Sequence, residues 1–443
     1  MRYSSVQDVV CIECGRVYPL DGTVFTCPDC GPLAGTLDVR YDLEALRGRF
    51  GPALLASRDD PTLWRYHELL PVRRPEAVVH LPTGMTPLIR LEDRLVATLA
   101  RELEVVLPVR LLVKDDTRLA SGSTKDRASS VAVSHALELG REEIAAASTG
   151  NAASSVAMFA ARAGLRCTIF APASAPPVKL LQIRAHGARL WAVAGTYDQA
   201  FDLCAAYCRA AGCYDRNTAT NFVLGEGKKT LALEIWEQLG YRAPDWVVVP
   251  VGDGCIIGGV HKGFHDLEAL GLIARPPRLL GVQAEGSAAL ARAWRAGADV
   301  CDEVVALTLA DSIAVGRPRD QRKALRAVRE SGGAFVTVAD VDILRAQSRL
   351  ATRAGMLVEP AAAAALAGLG RAALEGVVAP DAEVVLLHTG HGLKDMNAVE
   401  RCAAANPPRT LVPTADALQQ LLRWTATGKL PTPTDDEEGE RCP

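Results

Sequence analysis

The sequence predicts an α/β protein with largely parallel sheets, and three observations carry that expectation. Short apolar runs alternate with longer stretches of helical spacing from about residue 100 onward. Such alternation is the pattern of strands joined by crossover helices. Several of the apolar runs end in glycine-rich turns, and ligands in such folds gather outside the carboxyl ends of the strands. About half of the 443 residues are hydrophobic (49%), enough for a sizeable core and for two or three domains.

Taken in order, Arg110-Leu-Leu-Val-Lys114 reads as a strand and Ala128 to Leu139 as a helix. Leu165 to Phe170 and Ala188 to Val193 are again strands, while Tyr197 to Ala211 and Thr230 to Leu239 have helical spacing. Trp246 to Val251, Arg278 to Gln283 and Glu383 to His388 are buried-strand candidates. Five alanines, Ala361 to Ala365, follow Glu359-Pro360 and predict a closely packed helix starting at the proline. No internal repeat is apparent.

Net charge is −3, so no global basic field attracts nucleic acid or anionic lipid. No apolar run reaches membrane-spanning length and the first residues lack a signal-peptide pattern, so a cytoplasmic location is expected. Residues 428 to 443 combine Pro-Thr-Pro-Thr with an acidic run and predict a disordered tail.

Four of the twelve cysteines stand apart: Cys11-Ile-Glu-Cys14 and Cys27-Pro-Asp-Cys30 form two C-x-x-C pairs, each followed by glycine. Two such pairs complete the tetrahedral thiolate shell that zinc prefers and leave no position open, so a structural zinc ribbon is expected. Few basic residues accompany it, which favours a stabilising cap over a nucleic-acid module.

The chemistry centres on Ala120-Ser-Gly-Ser-Thr-Lys-Asp-Arg127. A lysine becomes a catalyst when its amine condenses with a carbonyl, most often the aldehyde of pyridoxal phosphate. A lysine in a Gly/Ser loop is more often solvated surface, but three further segments supply partners. Ala147-Ser-Thr-Gly-Asn151 turns from a strand into a helix, where N–H groups with the Ser148 and Thr149 hydroxyls suit a substrate carboxylate. Asn151 suits the cofactor ring hydroxyl. The glycine-rich Val251-Gly-Asp-Gly-Cys-Ile256 offers backbone donors to a phosphate through Gly252, Asp253, Gly254, Cys255 and Ile256. In His388-Thr-Gly-His-Gly-Leu-Lys-Asp395, Thr389 suits the pyridine nitrogen, and a neutral hydroxyl there favours elimination and replacement over transamination.

These segments resemble the threonine synthases, pyridoxal phosphate enzymes of fold type II. The matching runs include Trp64-Arg-Tyr66, Thr83-Gly-Met-Thr-Pro-Leu88, Gly122 to Arg127, Ser148 to Asn151, Glu226-Gly-Lys-Lys-Thr230, Asp245 to Gly252, Gly281 to Gly286, Glu330-Ser-Gly-Gly333, Glu359-Pro360 and Thr389 to Asp395. They run in family order from about residue 60 to 396. The resemblance implies two parallel-sheet domains of the tryptophan synthase β-like kind. The large one spans 46–140 with 220–427 and the smaller 141–219, behind a zinc-ribbon segment at 1–45. It implies cofactor attachment at Lys125, a homodimer, a small anionic amino-acid substrate, and conversion of O-phosphohomoserine and water to threonine and phosphate.

The sequence also departs from the family. Leu119-Ala-Ser-Gly-Ser-Thr124 replaces the usual Asn-Pro-Thr-Gly-Ser-Phe, and Gly-Asp-Gly-Cys-Ile replaces Gly-Asn-Ala-Gly-Asn. Leu224 stands where the Asn-Pro-x-Arg run has its arginine, a natural phosphate clamp. Ala314-Val-Gly-Arg-Pro-Arg319 meanwhile introduces two arginines, which makes Arg317 and Arg319 candidates for reading the substrate anion. These departures keep open β-elimination or β-replacement on serine, phosphoserine or a related amino acid, as in cysteate synthases and dehydratases. A non-catalytic zinc-ribbon interaction protein is the remaining reading, disfavoured by the intact Lys125 and Thr149-Gly-Asn151.

Overall fold

The computed structural model describes residues 3–22, 24–175, 177–218 and 220–404, with 408, 413, 415–419 and 421–422. The acidic stretch 428–443 lies outside the described residues. The described residues up to 399 form one compact unit, and those from 400 onward belong to a second, with helical positions at 417–419 and 421–422.

Three sheets build the body. The first is small and antiparallel, ordered β2-β1-β3, from β1 (Val6–Cys11), β2 (Val17–Tyr18) and β3 (Leu37–Tyr41). The second has six strands: β4 (Leu88–Arg90), β5 (Arg110–Asp115), β10 (Trp246–Pro250), β11 (Arg278–Ala284), β12 (Ala334–Val338) and β13 (Glu383–His388). Its order is β12-β11-β10-β13-β5-β4, parallel throughout except for the antiparallel edge pair β4–β5. The third is wholly parallel, ordered β8-β7-β6-β9, from β6 (Glu143–Ala147), β7 (Arg166–Pro172), β8 (Arg189–Val193) and β9 (Tyr214–Asp215).

The continuous apolar runs take the central positions for a physical reason. Every residue of β6, β10 and β13 is buried, because helices cover both faces of a parallel sheet. On the edge strand β8 the same kind of run is largely exposed, and Trp191 is turned outward. The alanine run opens helix Pro360–Leu374, and all five alanines are buried against the six-stranded sheet's apolar core. Strand β12 and the helices Gln321–Glu330 and Asp340–Ala354 were not among the sequence expectations.

The antiparallel sheet is tied to the body by charge. Lys323 and Arg326 each pair with Asp38 at 2.7 Å, and Tyr41 Oη donates to Glu226 Oε2 (2.7 Å). Parallel register brings the ends of β5, β10 and β13 to one edge: Leu386 pairs with both Val248 and Val113. The loops that follow these strands are therefore neighbours.

Candidate active site

The loops after β5, β6, β10 and β13 line one cavity of about 650 Å³, together with residues 303–319. Lys125, Ser148, Thr149, Asn151 and Thr389 all face it, as do the whole Gly252–Ile256 run, Arg317 and Arg319. Lining residues as far apart in the chain as Ser123 and Thr389 are thus gathered at one place, as parallel-sheet topology allows.

Lys125 opens helix Lys125–Glu138. Its N–H donates to Ser123 Oγ (3.3 Å), and a bridge between Ser123 and Gly390 pins this loop to the Thr389 loop. The Thr124 N–H donates to the Thr389 carbonyl (2.9 Å). Burial pushes the Lys125 amine down to about 8, helped by the nearby Lys228 and Arg216 charges. A neutral amine is thus accessible near physiological pH, as carbonyl condensation requires.

The next residues of that helix hold it in place. Asp126 accepts from the Ser121 N–H (2.8 Å) and from Ser155 Oγ (2.6 Å). Arg127 is fully buried and donates to Asp116 Oδ1 (2.7 Å), Asp116 Oδ2 (2.8 Å) and Glu234 Oε2 (2.8 Å). Lys114 completes this network at 2.6 Å from Glu234.

The phosphate-cradle candidate opens helix Cys255–Ala269, whose first amides have no partner within the helix. Gly254 precedes it with φ +97°, and a Cβ there would lie 2.7 Å from Ala324 Cβ, so backbone conformation and space both demand glycine. On the opposite side, Gly150 leads into helix Asn151–Ala163 and its N–H donates to Ser148 Oγ (3.2 Å). The amides that follow are free to meet a carboxylate.

Glu359 is a site residue that the sequence reading used only as part of a Glu-Pro motif. It is buried and lines the cavity. Asn151 Nδ2 donates to its Oε2 (2.8 Å) and Oε1 (3.0 Å), and more weakly to Ser312 Oγ (3.3 Å). Burial pushes the Glu359 carboxyl up to about 7, opposed by the Asn151 hydrogen bond and by Lys394 and Lys125. Gly390 makes room for it, since a Cβ there would fall 1.9 Å from Glu359 Oε2. Lys394 ties the loop down, donating to Gln182 Oε1 (2.7 Å) and the Ser121 carbonyl (2.9 Å).

The two arginines differ. Arg319 pairs with Asp198 and lies over the Phe201 ring at 4.2 Å. Arg317 is exposed at the cavity and has no hydrogen bond or ion pair among the described residues. Leu224 is buried in an apolar cluster with Ala128, Val156 and Phe159, so it fills core space.

Away from this cavity, the Sγ atoms of Cys11, Cys14, Cys27 and Cys30 all lie within 4.8 Å of one another. Cys14 and Cys27 are 3.7 Å apart. A tetrahedral ion with bonds of about 2.3 Å to sulfur separates its ligands by about 3.8 Å. The four thiols therefore fit one such ion.

Comparison with known proteins agrees with this geometry. Residues 79–390 match the family model described as pyridoxal-phosphate dependent enzyme. A threonine synthase of Methanocaldococcus jannaschii is 37% identical over 93% of this chain and 98% of its own length. One from Methanosarcina acetivorans is 37% identical over 88% of this chain and 92% of its own. Among solved structures, maize serine racemase aligns with a TM-score of 0.60 at 19% identity, over 73% of this chain and 92% of that one. Diaminopropionate ammonia lyase from Escherichia coli aligns with a TM-score of 0.61 at 18% identity, over 74% of this chain and 88% of that one. These likenesses establish the fold, and the closer sequence relatives establish more: the chain belongs to the threonine synthase family of pyridoxal-phosphate dependent enzymes.

Proposed function

We propose that this chain converts O-phosphohomoserine and water to threonine and phosphate, as a pyridoxal phosphate-dependent lyase of amino-acid metabolism. The observation that carries the reading is near-full-length similarity to threonine synthases, with Lys125, Asn151, Gly252–Ile256 and Thr389 in one cavity. When bound, pyridoxal phosphate supplies an aldehyde for amine condensation and a ring that draws electrons from the substrate's α carbon. The residues do the rest. Lys125 holds the cofactor and then moves the proton at the α carbon, for which an amine near pKa 8 is suited. The Ser148 and Thr149 hydroxyls, with the amides that open helix Asn151–Ala163, orient the substrate carboxylate. Thr389 would hold the ring nitrogen and Asn151 the ring hydroxyl, and Glu359 is hydrogen-bonded to the Asn151 amide. Glu359, near pKa 7, is placed to take or give a proton within the cavity. Arg317, exposed at the cavity and unpaired among the described residues, is the better placed of the two arginines for the substrate phosphate.

The buried, apolar setting of Leu224 favours a second reading, in which serine or phosphoserine undergoes β-elimination or β-replacement. Incubation of the purified protein with O-phosphohomoserine and, separately, phosphoserine distinguishes them. Equal amounts of threonine and phosphate from the first support the proposal, and pyruvate or a β-replaced product from the second alone supports the rival.

The four cysteines are proposed to hold one structural zinc. Metal analysis of protein prepared without chelator should give about one zinc per chain, and chelation should lower the melting temperature. A chain without metal, or with a disulfide between the pairs, contradicts this. The same reading includes the domain division at 1–45, 46–140 with 220–427, and 141–219, and a homodimer in the cytoplasm. Among the described residues no helix is long and apolar enough to cross a membrane, and the described cysteines are free thiols.

A further inference from the structure

Lys228 lies on helix Val223–Gln238 and is 2% exposed, yet its ammonium has no hydrogen bond or ion pair among the described residues. Its neighbour Lys229 shows how unusual that is. Lys229, equally buried, pairs with Glu226 (2.7 Å) and Asp266 (2.8 Å). A buried ammonium without a counterion is costly enough that proteins pair it, neutralise it or reserve it for a ligand.

Where Lys228 points decides among these. The side chain lines the active-site cavity together with Lys125 and the Gly252–Ile257 run. Its helix packs directly on helix Cys255–Ala269, so closely that a Cβ at Gly259 would lie 2.9 Å from Lys228 Cβ. Lys228 therefore approaches the free amides that open that helix. A second buried cation stands nearby: Arg216 is 1% exposed, and among the described residues its Nε has no partner and its guanidinium makes one hydrogen bond, a long 3.4 Å contact to Ser129 Oγ. Both charges are felt at Lys125, and each also acts on Cys255, the first residue of the helix. Two buried positive groups beside a helix N-terminus make a site for a compact dianion.

We propose that Lys228 is a direct ligand of the cofactor's phosphate, with Arg216 adding positive potential behind it. The proposal rests on the pyridoxal phosphate reading and adds to the backbone cradle a charged side chain that the sequence reading did not name. A charge-assisted contact of this kind is worth about 1.5–3 kcal/mol, or about ten- to hundredfold in affinity.

The test is a comparison of two ligands on the cofactor-free full chain. Dissociation constants for pyridoxal phosphate and for pyridoxal, which lacks the phosphate, are measured by absorbance for wild type and Lys228→Met. Any effect on the Lys125 amine changes both ligands alike. The preference for the phosphorylated ligand should fall about ten- to hundredfold in Lys228→Met, and Lys228→Arg should retain most of it. If the methionine variant does not fold, Lys228→Gln gives the same readout. An unchanged preference overturns the proposal. So does an unchanged preference with a raised KM for O-phosphohomoserine, which moves the ammonium to the substrate's phosphate. Wild type that binds neither ligand defeats the cofactor reading itself.

Discussion

Lys125 and Arg127 are two residues apart on one helix, and their surroundings are opposites. Around Arg127 every buried charge is answered: Asp116, Glu234 and Lys114 close a network with Thr86 and Thr230 at its edges. Around Lys125, among the described residues, the buried cations Lys228 and Arg216 have no carboxylate bound to them, and the buried acid Glu359 that lines the same cavity is itself pushed toward neutrality. The first cluster is complete as folded. The second presents positive charge to the cavity without a carboxylate to match it among the described residues, and that contrast separates a structural network from a candidate binding site.

Breaking the complete network should have the largest effect on stability. Arg127→Met leaves Asp116 and Glu234 buried with only Lys114 to answer them, and should cost about 3–5 kcal/mol in chemical denaturation. Lys228→Met removes a charge that has no partner among the described residues and should cost far less; comparable losses would erase the distinction between the two clusters.

At the rim the expected effects are smaller. Arg317→Ala should lower kcat/KM for O-phosphohomoserine about ten- to hundredfold, the value of a charge-assisted contact kept in the transition state. Arg319→Ala loses a half-exposed pair with Asp198 and should change it less than about fivefold, since such pairs contribute about 0–1 kcal/mol. Equal effects would place both arginines on the substrate.

The mildest sharpening is by pH. Condensation requires the neutral amine, and the protonated form of Lys125 is disfavoured by burial and by Lys228. The rate at which cofactor-free protein takes up pyridoxal phosphate should therefore rise with pH to a plateau, with a midpoint near 8. An ordinary exposed lysine would give a midpoint of about 10.4. Lys228→Met should move the midpoint upward, because a like charge has been removed.

Much of this was legible in the sequence because it is local. The apolar runs of β10 and β13 and the glycine-rich turns after them mark buried parallel strands and their ligand-binding ends. The two C-x-x-C pairs carry their spacing with them. Glu359 was read only as part of a motif before an alanine helix, since its role comes from Asn151 and Gly390, which meet it only in the folded chain. Lys228 was hidden for the same reason. In the sequence, Lys228-Lys229 is a pair of equal charges, and only tertiary packing gives one of them Asp266 and the other the cavity. Strand β12 follows Gly332-Gly333, and its apolar run is interrupted by Thr337, so it does not stand out as the unbroken runs do.

The cofactor's attachment point is the most direct test, because Lys125 and Lys228 face the same cavity and only Lys125 is assigned the carbonyl chemistry. Borohydride reduction of the cofactor-loaded protein, followed by peptide mass spectrometry, locates the covalent cofactor. The added mass is expected on the peptide containing Lys125 and is expected to be absent in Lys125→Ala. Added mass on Lys228, or on neither lysine, would contradict this assignment.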